Sequence, residues 1–378
     1  MQPTRRGLHR HRAPTALAVA MITLAACSGT PTRSDSDAAT GTTATTRALP
    51  SDNAPRLEIT DTIATGLAVP WGVAFLPNGD ALVSERDSAK IRRVSPDGDV
   101  TDIGTLPGVV PGGEGGQLDL TVSPDFESNH LLYVYYTAAD DNRIARLTYR
   151  NGDLGEPEQV LNGIPKGTIH NGGRVVFGPD GMLYASTGNT GRGALSQDKA
   201  SLAGKILRMT PEGDIPEEGN PFDDSLVYSY GHRNVEGMAF DSDDRLWASE
   251  FGESTWDELN LIEQGGNYGW PEVEGTSDDE EFIDPVWQWS PDEASPSGIA
   301  IVDDIVYMAS LRGERVWQIP IAGERVRQPR DFFTDDYGRL RSIAPAPDGT
   351  LWLTTSNRDG RGNPGPADDR ILRVVVRD

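Results

Sequence analysis

Outside the arginine-rich first dozen residues the chain has three histidines, His130, His170 and His232, the side chains best suited to move a proton near neutral pH. His130, in ESNHLLYVYY, stands just ahead of an apolar run and reads as a turn residue. His170 opens HNGGR (170–174), and the paired glycines after it allow a ligand to approach the backbone closely. His232 lies in YGHRNVEGMAF (230–240), where Arg233 and Asn234 offer a planar cation and an amide that recognise carboxylates or quinone oxygens. For either of the last two, the plain alternative is a hydrogen-bonded group capping a strand end. The pattern points to acid–base chemistry on an anionic or carbonyl-bearing ligand.

These residues must be held by strands. From Leu57 onward the hydrophobic period is two, in short runs such as Leu131 to Tyr136, Leu183 to Ser186, Leu246 to Ser249, Ile305 to Ala309 and Leu351 to Thr354. A turn-and-strand unit recurs as FLPNGDALVSE (75–85), FGPDGMLYASTGN (177–189), FDSDDRLWASE (240–250) and APDGTLWLTTSN (346–357). The fold class this predicts is all-β, a propeller of four-stranded antiparallel blades. Roughly 320 residues at about 50 per blade make six the nearest count and seven the next. Little helix is expected, and SLAGKILRM (201–209) is readable as helix or strand. A closed propeller gathers its functional loops at the mouth of the central channel.

The 378 residues carry 34 Lys plus Arg against 58 Asp plus Glu, a net charge of −24, which argues against nucleic acid as the main partner. One cysteine, Cys27, excludes an intrachain disulfide and a cysteine zinc site. Residues 1–26 read as an export signal, with Arg5, Arg6, Arg10 and Arg12 ahead of a short apolar stretch. Leu24-Ala25-Ala26-Cys27 resembles the lipobox of bacterial lipoproteins, which implies a lipid on Cys27 and attachment to the cell envelope, facing the periplasm or exterior. A plain secretory signal is the alternative, and Arg5-Arg6 leaves both the general and the twin-arginine export routes open. Residues 27–55 hold almost no large apolar side chain and read as a flexible tether, leaving 56–378 for the propeller.

The ordered segments GGEGGQLDLTVSPDF (112–126), HNGGRVVFGPDGMLYASTGN (170–189), YGHRNVEGMAFD (230–241), DELNLIEQGGNYGWP (257–271), ASLRGERVWQI (309–319) and GRLRSIAPAPDGTLWLTTSN (338–357) resemble the propeller sugar dehydrogenases that use pyrroloquinoline quinone (PQQ). The likeness is to the aldose sugar dehydrogenase branch, related to soluble glucose dehydrogenase. The resemblance implies oxidation of an aldose at its anomeric hydroxyl to the lactone. His170 is then the base and hydride passes to carbon C5 of PQQ. It places Arg233 and Asn234 near the reactive quinone oxygens, and Arg339 and Arg341 on the cofactor. Arg312 stands where the glucose branch has lysine. Calcium is implied on the backbone carbonyls of Gly252 and Glu253, and a further calcium at Glu258 and Tyr268 with Asp257 adjacent. An external electron acceptor, a quinone or a cytochrome, is implied as partner. The chain departs from the glucose branch at Ile169 (aspartate there), Glu114 (a cofactor-contacting glutamine), Gln117, Asp119 and Glu253 (proline). These departures motivate the competing reading of a non-catalytic surface propeller that binds a sugar or a protein. A metal-dependent lactonase lacks a matching Glu, Asn and Asp set, and GNTGRG (188–193) is not a dinucleotide fingerprint.

Overall fold

The computed structural model describes residues 55–377, and the expectations for the export signal, Cys27 and the tether lie outside these residues apart from Pro55. Six antiparallel sheets each contain a four-stranded blade. The inner strands of blades 1 to 6 are Pro70–Phe75, Gln117–Val122, Val175–Phe177, Val235–Phe240, Pro296–Val302 and Leu340–Pro345, and each touches the next around a closed ring. The N-terminal strand Arg56–Ala64 supplies the outermost strand of blade 6, pairing with Ile371–Arg377, so both ends of the propeller chain lie in one sheet. This closure leaves the ring without a free seam. Only two helices of four residues occur among the described residues, Phe126–Asn129 and Ala194–Gln197. The ambiguous segment resolves as a strand, Lys205–Met209, and His130 is the left-handed cap of the first short helix.

The recurring turn is one geometry. In blade 1 the N–H of Leu76 donates to Asp80 O at 2.8 Å and that of Gly79 to Leu76 O at 2.9 Å. The same pair of bonds forms in blades 3, 4 and 6. The fourth residue of the turn needs positive φ, met by Gly79 (90°), Gly181 (76°) and Gly349 (82°), while blade 4 uses Asp244 (63°), a residue type that tolerates this region. Between each pair of neighbouring blades lies one apolar layer; Trp247, Leu259, Val306 and Met308, for example, seal blades 4 and 5.

The axis of the ring is filled. Arg174, on the inner strand edge of blade 3, donates to Asp119 of blade 2 at 3.0 Å, to Glu236 O of blade 4 at 2.8 Å and to Ser342 of blade 6 at 3.2 Å. Its guanidinium also lies 4.4 Å from the centre of the Trp71 ring of blade 1. A side chain that reaches four other blades sits on the axis. A Cβ on Gly72 would overlap the Asp119 carboxylate, so the pair needs glycine opposite. The unusual Asp119 is thus half of an axial ion pair, buried on both sides.

Candidate active site

Above this plug, loops from all six blades line a cavity of about 830 Å³. Six arginines face it, Arg86, Arg233, Arg312, Arg339, Arg341 and Arg361, against the carboxylates of Glu114, Glu236, Glu253, Asp257 and Asp359. In a chain of net charge −24 this is a locally cationic chamber. The structure brings His170, Glu114, Arg233, Asn234, Gly252, Glu253, Arg312, Arg339 and Arg341 together around this one cavity.

His170 has a left-handed backbone (φ 54°), a conformation that costs energy in a residue with a side chain. It is held from several sides. Its N–H donates to Glu114 Oε2 at 2.7 Å and its carbonyl accepts from Thr190 N–H at 3.1 Å. Asn189 Oδ1 lies 2.8 Å from His170 Nδ1 and also accepts the N–H of Gly191 at 2.8 Å. The second bond identifies that atom as oxygen, so Nδ1 carries the hydrogen and Nε2 keeps its lone pair. Burial, and then the charge of Arg233, lowers the pKa of His170 below its ordinary value. The imidazole is neutral at neutral pH, with its basic nitrogen defined. His232 differs: Nε2 meets Ser229 and Nδ1 meets Glu250, both at 2.8 Å, and the ring stacks on Tyr268. Both of its nitrogens are committed, which makes it a structural residue.

Arg233 lies over the Trp270 ring at 5.3 Å and donates to Phe251 O at 3.3 Å, but its buried Nε has no partner among the described residues. Burial pushes its pKa down, against the pull of Glu253 and Glu250. Such a guanidinium gains more from an anionic ligand than a solvated one does. Asn234 accepts the N–H of Gly172 at 2.9 Å through Oδ1. Arg339 and Arg341 alternate into the cavity and share Asp359, with contacts at 2.9 and 3.5 Å; Arg341 also meets Glu236 at 2.9 Å. Arg312 is on the rim, 62% exposed and paired with Asp292.

Glu114 stands beside these cations without facing them unpaired. Its Oε1 accepts from Arg361 at 2.6 Å while Oε2 holds the His170 backbone. An anion at this position is thereby neutralised and turned to positioning work. Ile169, next to His170, is an exposed apolar side chain at the cavity wall.

The loop bearing Gly252 and Glu253 is shaped by two acids. Asp257 accepts the N–H groups of Gly252 (2.9 Å) and Ser295 (2.6 Å), and Glu274 Oε1 accepts those of Glu253, Ser254, Thr255 and Trp256 at 2.6–3.2 Å. With these N–H groups drawn to one side, the carbonyls of Gly252 and Glu253 accept no hydrogen bond among the described residues. Glu258 and Tyr268 are not on the main cavity. They border a separate void of about 10 Å³, together with Arg233, Glu250 and Glu274, large enough for one water-sized occupant. Glu258 lies directly across from Glu250 on the neighbouring strand, and burial, then Glu250, pushes its pKa up to about 8. The Tyr268 hydroxyl is spent on Leu261 O and Glu263 N–H, leaving its backbone carbonyl as the available ligand.

The glucose/sorbosone dehydrogenase family profile matches residues 67–373. The chain belongs to that family. A solved structure of the PQQ-bound aldose sugar dehydrogenase of Streptomyces coelicolor is 56% identical, covers 85% of this chain and 98% of its own, and superposes with a TM-score of 0.83. The aldose sugar dehydrogenase of Escherichia coli is 28% identical over 333 residues, 77% of this chain and 88% of that one. Quinoprotein glucose dehydrogenase B of Acinetobacter calcoaceticus is 33% identical over 253 residues, 57% of this chain and 53% of that one. As a glucose/sorbosone dehydrogenase family member the chain is an oxidoreductase. Asn189, Glu236, Glu274, Asp359, Arg86 and Arg361 escaped the reading of the sequence. Asn189 alone had a visible marker, the small polar end of the repeat unit STGN (186–189).

Proposed function

We propose that this protein oxidises the anomeric hydroxyl of an aldose to the lactone with PQQ and calcium in the mouth cavity. The observation that carries the reading is the neutral His170 with Nδ1–H spent on Asn189, set in the same chamber as the unpartnered Nε of Arg233. The residues fit the cofactor: Arg233, Arg339 and Arg341 present guanidinium groups to a tricarboxylate. For calcium, the free carbonyls of Gly252 and Glu253 are hard oxygen donors. The second void also fits a cation, since Glu250 and Glu258 face it from paired positions on adjacent strands. When bound, PQQ supplies the two-electron acceptor for the hydride leaving the anomeric carbon, and calcium beside it the Lewis acid.

The chain does the rest. His170 Nε2 takes the hydroxyl proton, and the depressed pKa keeps that nitrogen available at neutral pH. Asn189 and Glu114 fix the ring and its backbone. The axial Arg174–Asp119 plug closes the floor, so sugar enters from the mouth. The experiment is reconstitution of purified protein with PQQ and calcium, followed by dye reduction with glucose and other aldoses. Turnover that depends on both additions supports the reading; its absence with every aldose overturns it.

For location we propose export and a lipid on Cys27, supported by the leader and its Leu-Ala-Ala-Cys ending. No helix among the described residues is long and apolar enough to cross a membrane. Palmitate labelling that disappears in Cys27→Ser tests this attachment. A quinone or cytochrome at the cell envelope is the acceptor we propose.

A further inference from the structure

The loop that carries Asn189 has little apolar packing of its own. Residues 187–204 (TGNTGRGALSQDKASLAG) contain four glycines, and their leucines, Leu195 and Leu202, are only half-buried. The loop is closed at its neck, where Thr187 N–H donates to Lys205 O at 2.9 Å, Lys205 N–H to Thr187 Oγ1 at 3.0 Å and Gly204 N–H to Gly188 O at 3.0 Å. Such closed loops are packed from within by their own side chains, and this one is also anchored outside, by Gln197 on Asn267 and Trp270 O and by Lys199 over Phe222 and Tyr230.

The filling is a charge. The Lys205 side chain leaves the neck strand, is 0% exposed, and donates from Nζ to the carbonyls of Leu195 (2.8 Å), Ser196 (2.9 Å) and Ala203 (2.8 Å). An ammonium has three hydrogens, and all three are used on the loop's own backbone. Two of the carbonyls belong to the one-turn helix Ala194–Gln197, whose carbonyls have no helical partners. Asp198, a charged neighbour that acts on Lys205, makes no ion pair with it. Burial pushes the Lys205 pKa down to about 7, with Asp198 pulling the other way, and among the described residues the three carbonyls are the only groups that bond the ammonium directly.

The clamped loop grips both halves of the site. Asn189 meets His170 Nδ1 at 2.8 Å and donates its own N–H to Arg233 O at 2.8 Å. Ser196 donates to His232 O at 2.6 Å and accepts the N–H of Gly231 at 3.0 Å. We propose that Lys205 is a positioning residue for His170: its buried ammonium organises the 187–204 loop and so holds Asn189 where it fixes the hydrogen on Nδ1. This rests on the reading of His170 as the base.

The test uses ¹⁵N-labelled apo protein and the long-range ¹H–¹⁵N signals of the His170 ring, assigned by their loss in His170→Gln. Wild type is expected to show a protonated Nδ1. Lys205→Met, which keeps length without charge, and Lys205→Gln, which offers two uncharged donors, are expected to release Asn189 and shift the major tautomer to Nε2–H. After loading with PQQ and calcium, kcat falls ~10- to ~100-fold, while KM for the sugar stays within about twofold of wild type. A folded Lys205→Met protein with Nδ1 still protonated overturns the proposal. So does failure of both variants to fold, since the clamp is local to the loop. If the tautomer responds but the loaded wild type never turns over, the clamp stands and the reading of function falls.

Discussion

Asp359 is a buried acid shared by the two arginines that face the proposed ligand, and Asp359→Asn separates two demands on those arginines. Its carboxylate takes Arg339 Nε and Nη2 at 2.9 Å, Arg341 Nη2 at 3.5 Å and the N–H of Arg361 at 2.9 Å. Breaking a buried pair costs 3–5 kcal/mol, and because asparagine keeps the shape and one acceptor we expect ~3 kcal/mol. At about 2.1 cal/mol/K per residue over roughly 320 residues, that lowers the apo melting temperature by about 4 °C. With PQQ bound, ligand carboxylates take over the freed arginines, so the loss shrinks to about half and the gap between apo and loaded forms widens. Burial opposes the charge on Asp359, yet Arg341 and Arg339 hold its pKa below the usual value. A depressed carboxyl pKa contributes stability that is complete above the unfolded value near 3.9 and is lost as pH falls through the folded one. The difference between wild type and variant is therefore constant from about pH 5 upward and closes in acid. Scanning calorimetry of both forms at several pH values reads all of this. An apo loss under about 1 °C, or an equal loss with and without PQQ, would refute the reasoning.

Other parts of the account give separate expectations. The pKa of His170 is depressed and its neutral form is the base, so kcat/KM in the loaded enzyme should rise with pH along a limb centred below about 6.5; a pH–rate profile with its limb above that value contradicts the assignment. Glu274→Ala releases four N–H groups behind the Gly252–Glu253 carbonyls and should weaken calcium binding ~10- to ~100-fold, read by the calcium needed to restore turnover after chelation. Arg174→Leu should cost ~3–5 kcal/mol by leaving Asp119 buried and unpaired, and the double change with Asp119→Leu should recover most of it; a double-mutant cycle in urea measures both.

Much of the architecture was open to a reader of the chain because it is local. The turn that follows the inner strand in blades 1, 3, 4 and 6 spans five residues and demands a positive φ, so its glycine and aspartate recur visibly. Period-two alternation marked many of the strands, but not Lys205–Met209, which is buried throughout and whose short apolar run left helix and strand equally open. His170, Arg233, Asn234, Arg339 and Arg341 were legible because they sit in compact motifs. What held them was hidden. Asp359, Arg361 and Glu114 meet across distances of up to 247 residues, and Glu274 reaches back to an exposed loop about twenty residues earlier. No period or motif encodes such contacts. Glu114 shows the consequence: in the sequence it is only a departure from a glutamine, and in the fold it is an acid paired with Arg361 that braces the His170 backbone.

The most direct test of the central claim is a calorimetric titration of the apo protein with PQQ, run with calcium and again with a calcium chelator. The account predicts saturable binding of one PQQ per chain that weakens markedly when calcium is removed. Absence of saturable binding, or binding indifferent to calcium, would contradict it.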